Sequence, residues 1–186
     1  MIRKFELKET SLKGAYIVIP FRADDERGYF IKDYSKPLFE TIGISKELRE
    51  VFYTHSKKGV IRAIHFQSIK PQAKLVRCIK GRVYDVIVDL RPDSPDFGKW
   101  EAFELSEDNN LELYVPEGFG HGYHVLEDAI VSYKCSEDFF GPGDDGILYN
   151  DLELNIDWKI NPNQKIILSE KDRTLQSFEE FRKKNQ

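Results

Sequence analysis

From Gly14 to Cys135 the chain alternates short apolar runs with turn-forming residues. Residues 15–19, 29–31, 51–53, 60–66 and 74–79 are rich in β-branched and aromatic side chains, and residues 82–90, 101–105, 111–115 and 130–135 continue the series. Several of these runs alternate apolar and polar positions with the period of two that a half-buried strand requires. Between them, Lys80-Gly81, Pro92-Asp93-Ser94-Pro95, Asp108-Asn109-Asn110 and Pro116-Glu117-Gly118 supply preset or positive φ and local side-chain hydrogen bonds, and so read as turns. Helix is expected only around residues 36–42 and in the tail, residues 175–184. Many short strands with turns about every 8 to 12 residues predict a mainly β protein, a small antiparallel barrel or sandwich with short flanking helices. A barrel of about eight strands can hold one small ligand, so chemistry is expected on inward-facing polar residues.

Length and charge narrow the picture. The 186 residues, 40% of them hydrophobic, suffice for one compact domain spanning residues 1–186, and no repeat or linker divides them. With 28 basic against 32 acidic residues there is no broad positive field, which argues against a nucleic-acid partner. No uncharged apolar run approaches the roughly 20 residues of a membrane span, and Met1-Ile2-Arg3-Lys4-Phe5-Glu6 lacks the apolar stretch of a signal peptide. A cytoplasmic protein with no membrane contact is therefore expected. Cys78 and Cys135 sit in strand-like runs, fit a reducing compartment and are too few for a thiolate metal site.

Four histidines carry most of the candidate chemistry: His55, His65, His121 and His124. Period two puts His65 on one face with Ile61, Ala63 and Gln67, opposite Arg62, Ile64 and Phe66. From its neighbours alone His65 is equally a hydrogen-bonded structural residue or a catalytic one. The Pro-x-Gly-x-x-His arrangement in Pro116-Glu117-Gly118-Phe119-Gly120-His121-Gly122 resembles the second half-motif of cupins, the double-stranded β-helix (jelly-roll) barrels. A metal-binding cupin also has a His-x-His pair, whereas position 67 here is Gln, so no metal is expected.

A more specific likeness runs along the chain in order. It comprises Asp25-Glu26-Arg27-Gly28-Tyr29-Phe30, Ile61-Arg62-Ala63-Ile64-His65-Phe66-Gln67, Pro71-Gln72-Ala73-Lys74, Gly81-Arg82-Val83-Tyr84-Asp85, the Pro116–His121 segment, Tyr133-Lys134, Asn150-Asp151 and Leu168-Ser169-Glu170-Lys171-Asp172. Together these resemble the dTDP-4-dehydrorhamnose 3,5-epimerase family. The resemblance implies a homodimeric cupin that uses neither metal nor cofactor and inverts C3 and C5 of a nucleotide-diphosphate-linked 4-keto-6-deoxy sugar. It implies His65 as the base oriented by Asp172, Tyr133 as the acid, and Lys74 beside the developing oxyanion. Arg27 and Arg62 correspond to pyrophosphate ligands, Phe30 to an aromatic near the nucleobase, and His121 to a pocket histidine. Gln67 belongs to the retained Phe66-Gln67 pair.

Three departures from the family pattern bear on substrate and outcome. Phe139 stands where a second pocket tyrosine is usual, which leaves inversion at C3 alone open. A Gln-x-Asn segment is replaced by Tyr53-Thr54-His55 in a shortened loop, and Ala63 replaces a glycine, adding a methyl group close to the site. The shortened run also resembles relatives acting on GDP-linked 4-keto-6-deoxy-heptoses, in which His55 reads as a ligand-loop residue; a dTDP-linked hexose is the favoured substrate. A 3,4-ketoisomerase, a metal-dependent oxygenase and a non-catalytic nucleotide-sugar binder compete with the epimerase. The binder is disfavoured because it has no use for a paired acid and base.

Overall fold

The computed structural model describes residues 2–185. In chain order its elements are β1 (Ile2–Arg3), β2 (Glu6–Glu9), β3 (Tyr16–Ile19), β4 (Phe21–Asp25), β5 (Gly28–Lys32), α1 (Lys36–Thr41), β6 (Glu50–Ser56), β7 (Ile61–Gln67) and β8 (Lys74–Asp89). There follow β9 (Trp100–Ser106), β10 (Glu112–Val115), β11 (Phe119–Cys135), β12 (Asp144–Gly146), α2 (Glu170–Arg173) and α3 (Phe178–Asn185). The result is a mainly β, antiparallel cupin-type barrel with short helices at its margins.

Two long strands organise it. β8 and β11 run antiparallel from Phe119 opposite Asp89 to Cys135 opposite Lys74. The second half of β8 and the first half of β11 lie between β9 and β7, with β12 beyond β7. Their other halves lie between β10 and β6, with β3 and β2 beyond β10. β1, β4 and β5 form a separate three-stranded sheet.

Lys80-Gly81, expected as a turn between two strands, is instead an irregularity inside β8. Register shifts occur opposite it, between Val125 and Val131. Gly81 adopts φ +73°, and a Cβ there would lie 2.2 Å from the Asp128 carbonyl oxygen, so only glycine fits. The extra residue changes which positions face inward. Val76 and Cys78 point to the same core as Val83 and Ile87, so Lys74 and Asp85 share that inner side despite their odd spacing.

Apolar side chains on both faces of the long strands are buried, which is why their sequences read as nearly continuous runs. The inner core contains Val76, Val83, Ile87, Tyr123, Val131 and Tyr133. A second core sets Ile61, Ala63, Ile64, Val86 and Val88 against Phe178 and Phe181 of α3, and a third sets Val18, Leu75 and Tyr114 against Phe39 of α1. The two expected helical segments are thus present as covers over outer sheet faces.

β7 lies so close to β11 that side chains are excluded between them. A Cβ at Gly122 would fall 2.5 Å from Ala63 Cβ and 2.6 Å from the Arg62 carbonyl oxygen. The Ala63 methyl therefore packs in the core against Gly122 and does not line the site, contrary to the expectation from sequence. Because backbone blocks one side of position 122, Gly122→Ala is expected to destabilise the fold by about 1–3 kcal/mol, read as a lower urea midpoint; an unchanged midpoint would show that β7 can move away without loss.

Candidate active site

A cavity of about 300 Å³ opens between the two halves of the barrel. β6 contributes Phe52 and Thr54 to its wall, β7 contributes Arg62, His65 and Gln67, β8 Lys74, and β11 His121 and Tyr133. Ser169, Lys171 and Asp172 from the α2 region, Asp144 from β12 and Phe139 from the loop after β11 also line it, with Phe66 and Gln72.

Arg62 and His65 both face this cavity, although regular alternation predicts opposite faces for them. The reason is a register shift between β7 and β11. His65 lies opposite His121 and Arg62 opposite Tyr123, so three steps on one strand match two on the other. The Ala63–Ile64 peptide within this stretch is cis.

His65 Nε2 lies 2.7 Å from Asp172 Oδ1, joining two residues more than a hundred positions apart in sequence. Ser169 caps α2 by accepting a hydrogen bond from the Asp172 N–H, which holds the carboxylate in place. Burial alone raises the Asp172 carboxyl. The hydrogen bond and charge of His65, together with the Ser169 hydroxyl and the Arg62 guanidinium, outweigh it and keep the group below the usual carboxylate range. Asp172 is thus ionised near neutrality and orients the imidazole. The second ring nitrogen of His65, Nδ1, makes no hydrogen bond among the described residues.

Tyr133 is buried, its ring stacked on Phe52 with centroids 4.8 Å apart and 12° between planes. The His121 ring meets it edge-on from another side, at 5.7 Å and 76°. Burial lifts its phenol well above the ordinary range, and nearby Tyr123 and Asp85 act in the same direction. Tyr133 therefore stays protonated. Desolvation pulls Lys74 the opposite way, below the ordinary lysine range, with Cys135, Asp144 and Asp85 opposing. Its ammonium donates a 3.5 Å hydrogen bond to the backbone carbonyl of His65.

His121 Nε2 contacts Asp85 Oδ1 at 2.8 Å in a fully enclosed pair. Burial raises the Asp85 carboxyl against the pull of His121 and Lys74. Sequence reasoning does not single out Asp85 as a site residue. Its only signal is an acid at an inward position of an apolar run.

Gln67 lines the cavity, but its amide is committed to the adjoining loops. It donates to the Lys70 carbonyl at 2.7 Å and to the Asp138 carbonyl at 3.4 Å, while its oxygen accepts from the Phe140 N–H at 2.6 Å. The same clamp holds Phe139, 61% exposed, at the cavity mouth. Arg62 donates from Nε to Ser56 Oγ at 3.1 Å.

Three residues expected at the site lie outside this cavity. His55 points away from it, because alternation along β6 turns Phe52, Thr54 and Ser56 inward and leaves Tyr53 and His55 exposed. Of the segment Tyr53-Thr54-His55 only Thr54 faces the cavity, together with the preceding Phe52, so the inward positions fall one residue earlier than expected. Arg27 sits at the β4–β5 turn, 85% exposed and paired with Asp25 at 2.6 Å, and Phe30 is exposed on β5 beside Phe21. Among the described residues no group of three His, Cys, Asp or Glu side chains is placed to hold a metal ion.

The barrel is a cupin-type fold, and its cavity brings a histidine–carboxylate pair and a protonated phenol together. The family model for dTDP-4-dehydrorhamnose 3,5-epimerase matches residues 9–180. An enzyme of that description from Methanothermobacter thermautotrophicus is 41% identical over 178 residues, covering 95% of this chain and 96% of its own. The crystal structure of one from Elizabethkingia anophelis superposes with a TM-score of 0.88 at 43% identity, covering 95% of this chain and 97% of its own. Another from Bacillus anthracis, solved with TDP and PPi bound, gives 0.89 at 40% identity over 94% of this chain and 100% of its own. The chain belongs to the dTDP-4-dehydrorhamnose 3,5-epimerase family and is accordingly an isomerase.

The Asp172 pair has a definite pH signature. With the folded carboxyl held below its unfolded value, its contribution to stability is complete above about pH 4 and disappears as pH falls through the folded value. The difference in urea midpoint between the native chain and Asp172→Asn is expected to be largest at neutral pH and to close on acidification. A difference independent of pH would rule out stabilisation by the ionised carboxylate.

Proposed function

We propose that the chain inverts C3 and C5 of a dTDP-linked 4-keto-6-deoxy hexose, with His65 as base and Tyr133 as acid. The observation that carries this is the meeting of the His65–Asp172 pair and the desolvated Tyr133 phenol in one cavity. A proton on carbon next to a ketone is weakly acidic, so its removal needs a positioned base and stabilisation of the enolate oxygen. His65 takes the C3 proton, and ionised Asp172 stabilises the imidazolium that forms. Lys74 offers N–H donors to the enolate oxygen in a desolvated site, where they count most. Tyr133 returns a proton to the opposite face of the carbon. The same exchange at C5, after the ring turns over, completes the reaction.

Arg62 is suited to the diphosphate, and Phe139 at the cavity mouth to the flat face of the nucleobase. The exposed apolar side chains Ile2, Tyr29, Phe30, Val51 and Tyr53 support a homodimer in which the β4–β5 hairpin, with Arg27 and Phe30, packs on a second copy. His55 lies beside Tyr53 on that outer face. No helix among the described residues is long and apolar enough to cross a membrane, and free, buried Cys78 and Cys135 suit the cytoplasm.

Proton NMR in deuterium oxide with dTDP-4-keto-6-deoxyglucose tests the reaction. Both the C3 and C5 signals are expected to disappear as the inverted sugar forms. Loss at C3 alone would limit the enzyme to one inversion, with Phe139 the residue to examine, and no exchange at either carbon would overturn the hexose substrate in favour of the GDP-heptose. In the same assay His65→Asn is expected to abolish C3 exchange while nucleotide binding persists, and exchange that survives would remove His65 as the base. Tyr133→Phe should keep exchange and lose inversion.

A further inference from the structure

The wall that β6 gives to the cavity differs in chemistry from the others. β7, β8 and the α2 region present Arg62, His65, Lys74, Lys171 and Asp172, all charged or able to carry charge. β6 presents Phe52 and Thr54. The Thr54 hydroxyl is already hydrogen-bonded to that of buried Tyr123 at 2.8 Å, which leaves Phe52 to set the character of this wall.

Phe52 lies opposite Tyr133 in the β6–β11 ladder, so the two side chains share a face, and their rings stack at 4.8 Å with 12° between planes. The stack covers one face of the Phe52 ring, and the residue keeps 40% of its surface exposed. The other phenylalanines of the cavity are placed differently: Phe66 packs edge-on against Phe181 of α3, and Phe139 stands at the mouth. Phe52 is thus the apolar ring beside the acid.

Two carbons of a 4-keto-6-deoxy hexose lose and regain protons. At each, the hydrogen points to the base, and the other substituent outside the ring leans toward the opposite face, where the acid stands. At C3 that substituent is a hydroxyl; at C5 it is the C6 methyl, the one apolar group on the sugar ring. A methyl group gains from leaving water for an aromatic wall, whereas a hydroxyl in the same place loses its water without a partner. Resting on the epimerase reading, we propose that Phe52 determines specificity at C6: its ring, held by the stack on Tyr133, receives the methyl group on C5 and disfavours sugars that keep a hydroxyl there.

Calorimetry with dTDP-6-deoxyglucose and dTDP-glucose tests this, because the two differ only by the C6 hydroxyl and neither requires turnover. The native enzyme is expected to bind the 6-deoxy compound about tenfold more tightly. In Phe52→Gln, whose amide can hydrogen-bond the hydroxyl, the two affinities should come within about twofold of each other. Phe52→Leu gives up the stack but keeps an apolar wall, and should retain most of the preference. Replacing a ring that only supports Tyr133 would alter both affinities alike and leave their ratio unchanged. Equal affinities in the native enzyme, a preference that persists in Phe52→Gln, or its loss in Phe52→Leu would overturn the proposal. Should Phe52→Gln fail to fold, Phe52→Ala, which lets water reach the C6 position, is expected to show the same loss of preference, and an undiminished preference there overturns the proposal equally. If the native enzyme binds neither compound, the dTDP-sugar assignment itself is overturned; if it binds both and position 52 leaves their ratio unchanged, only the role of Phe52 is lost.

Discussion

The ladder between β8 and β11 is the constraint on which the site depends. Each strand is long enough to pass through both halves of the barrel, so one pair of strands carries Lys74, Asp85, His121, Tyr123 and Tyr133 on its inner side. That arrangement requires a change of facing within β8, and Gly81 provides it at a point where any side chain would strike the Asp128 carbonyl. β7 and β6 then flank β11 and bring the His65 and Phe52 faces to the same space.

Burial sorts the ionisable groups of this space into different states. Tyr133 and Asp85 are pushed toward their neutral forms and Lys74 toward its amine, while Asp172 stays ionised because its partners outweigh the cost of desolvation. Separating acid from base by environment in this way is what proton transfer near neutral pH requires. It also explains why a cavity bounded by apolar strands retains so many polar side chains. Each is paired, as in His65–Asp172 and His121–Asp85, or aimed into the cavity.

Where expectation and structure diverge, strand parity is the usual cause. Sequence places His55 at the ligand, but its strand turns Thr54 inward instead. Simple alternation places Arg62 on the face opposite His65, but a register shift restores it to the same cavity. Ala63 is expected to add a methyl group close to the site, yet that methyl fills the space left by Gly122. The first two depend on how one strand is registered against another, and the third on the absence of a side chain at position 122 of the neighbouring strand.

The amino-acid sequence by itself determined the mainly β character, the two helical covers, and, through motifs kept in order, the family and the candidate residues His65, Lys74, Tyr133 and Asp172. Local propensity and short motifs are properties of neighbours in the chain, so they survive without coordinates. Only the tertiary structure decided that Asp172 reaches His65, that Asp85 closes on His121, that Phe52 and Tyr123 flank the acid, and that Arg27 and Phe30 stand away from the cavity of their own chain. Those relations arise from long-range strand pairing and from desolvation, and both are set by segments distant in sequence packing against one another.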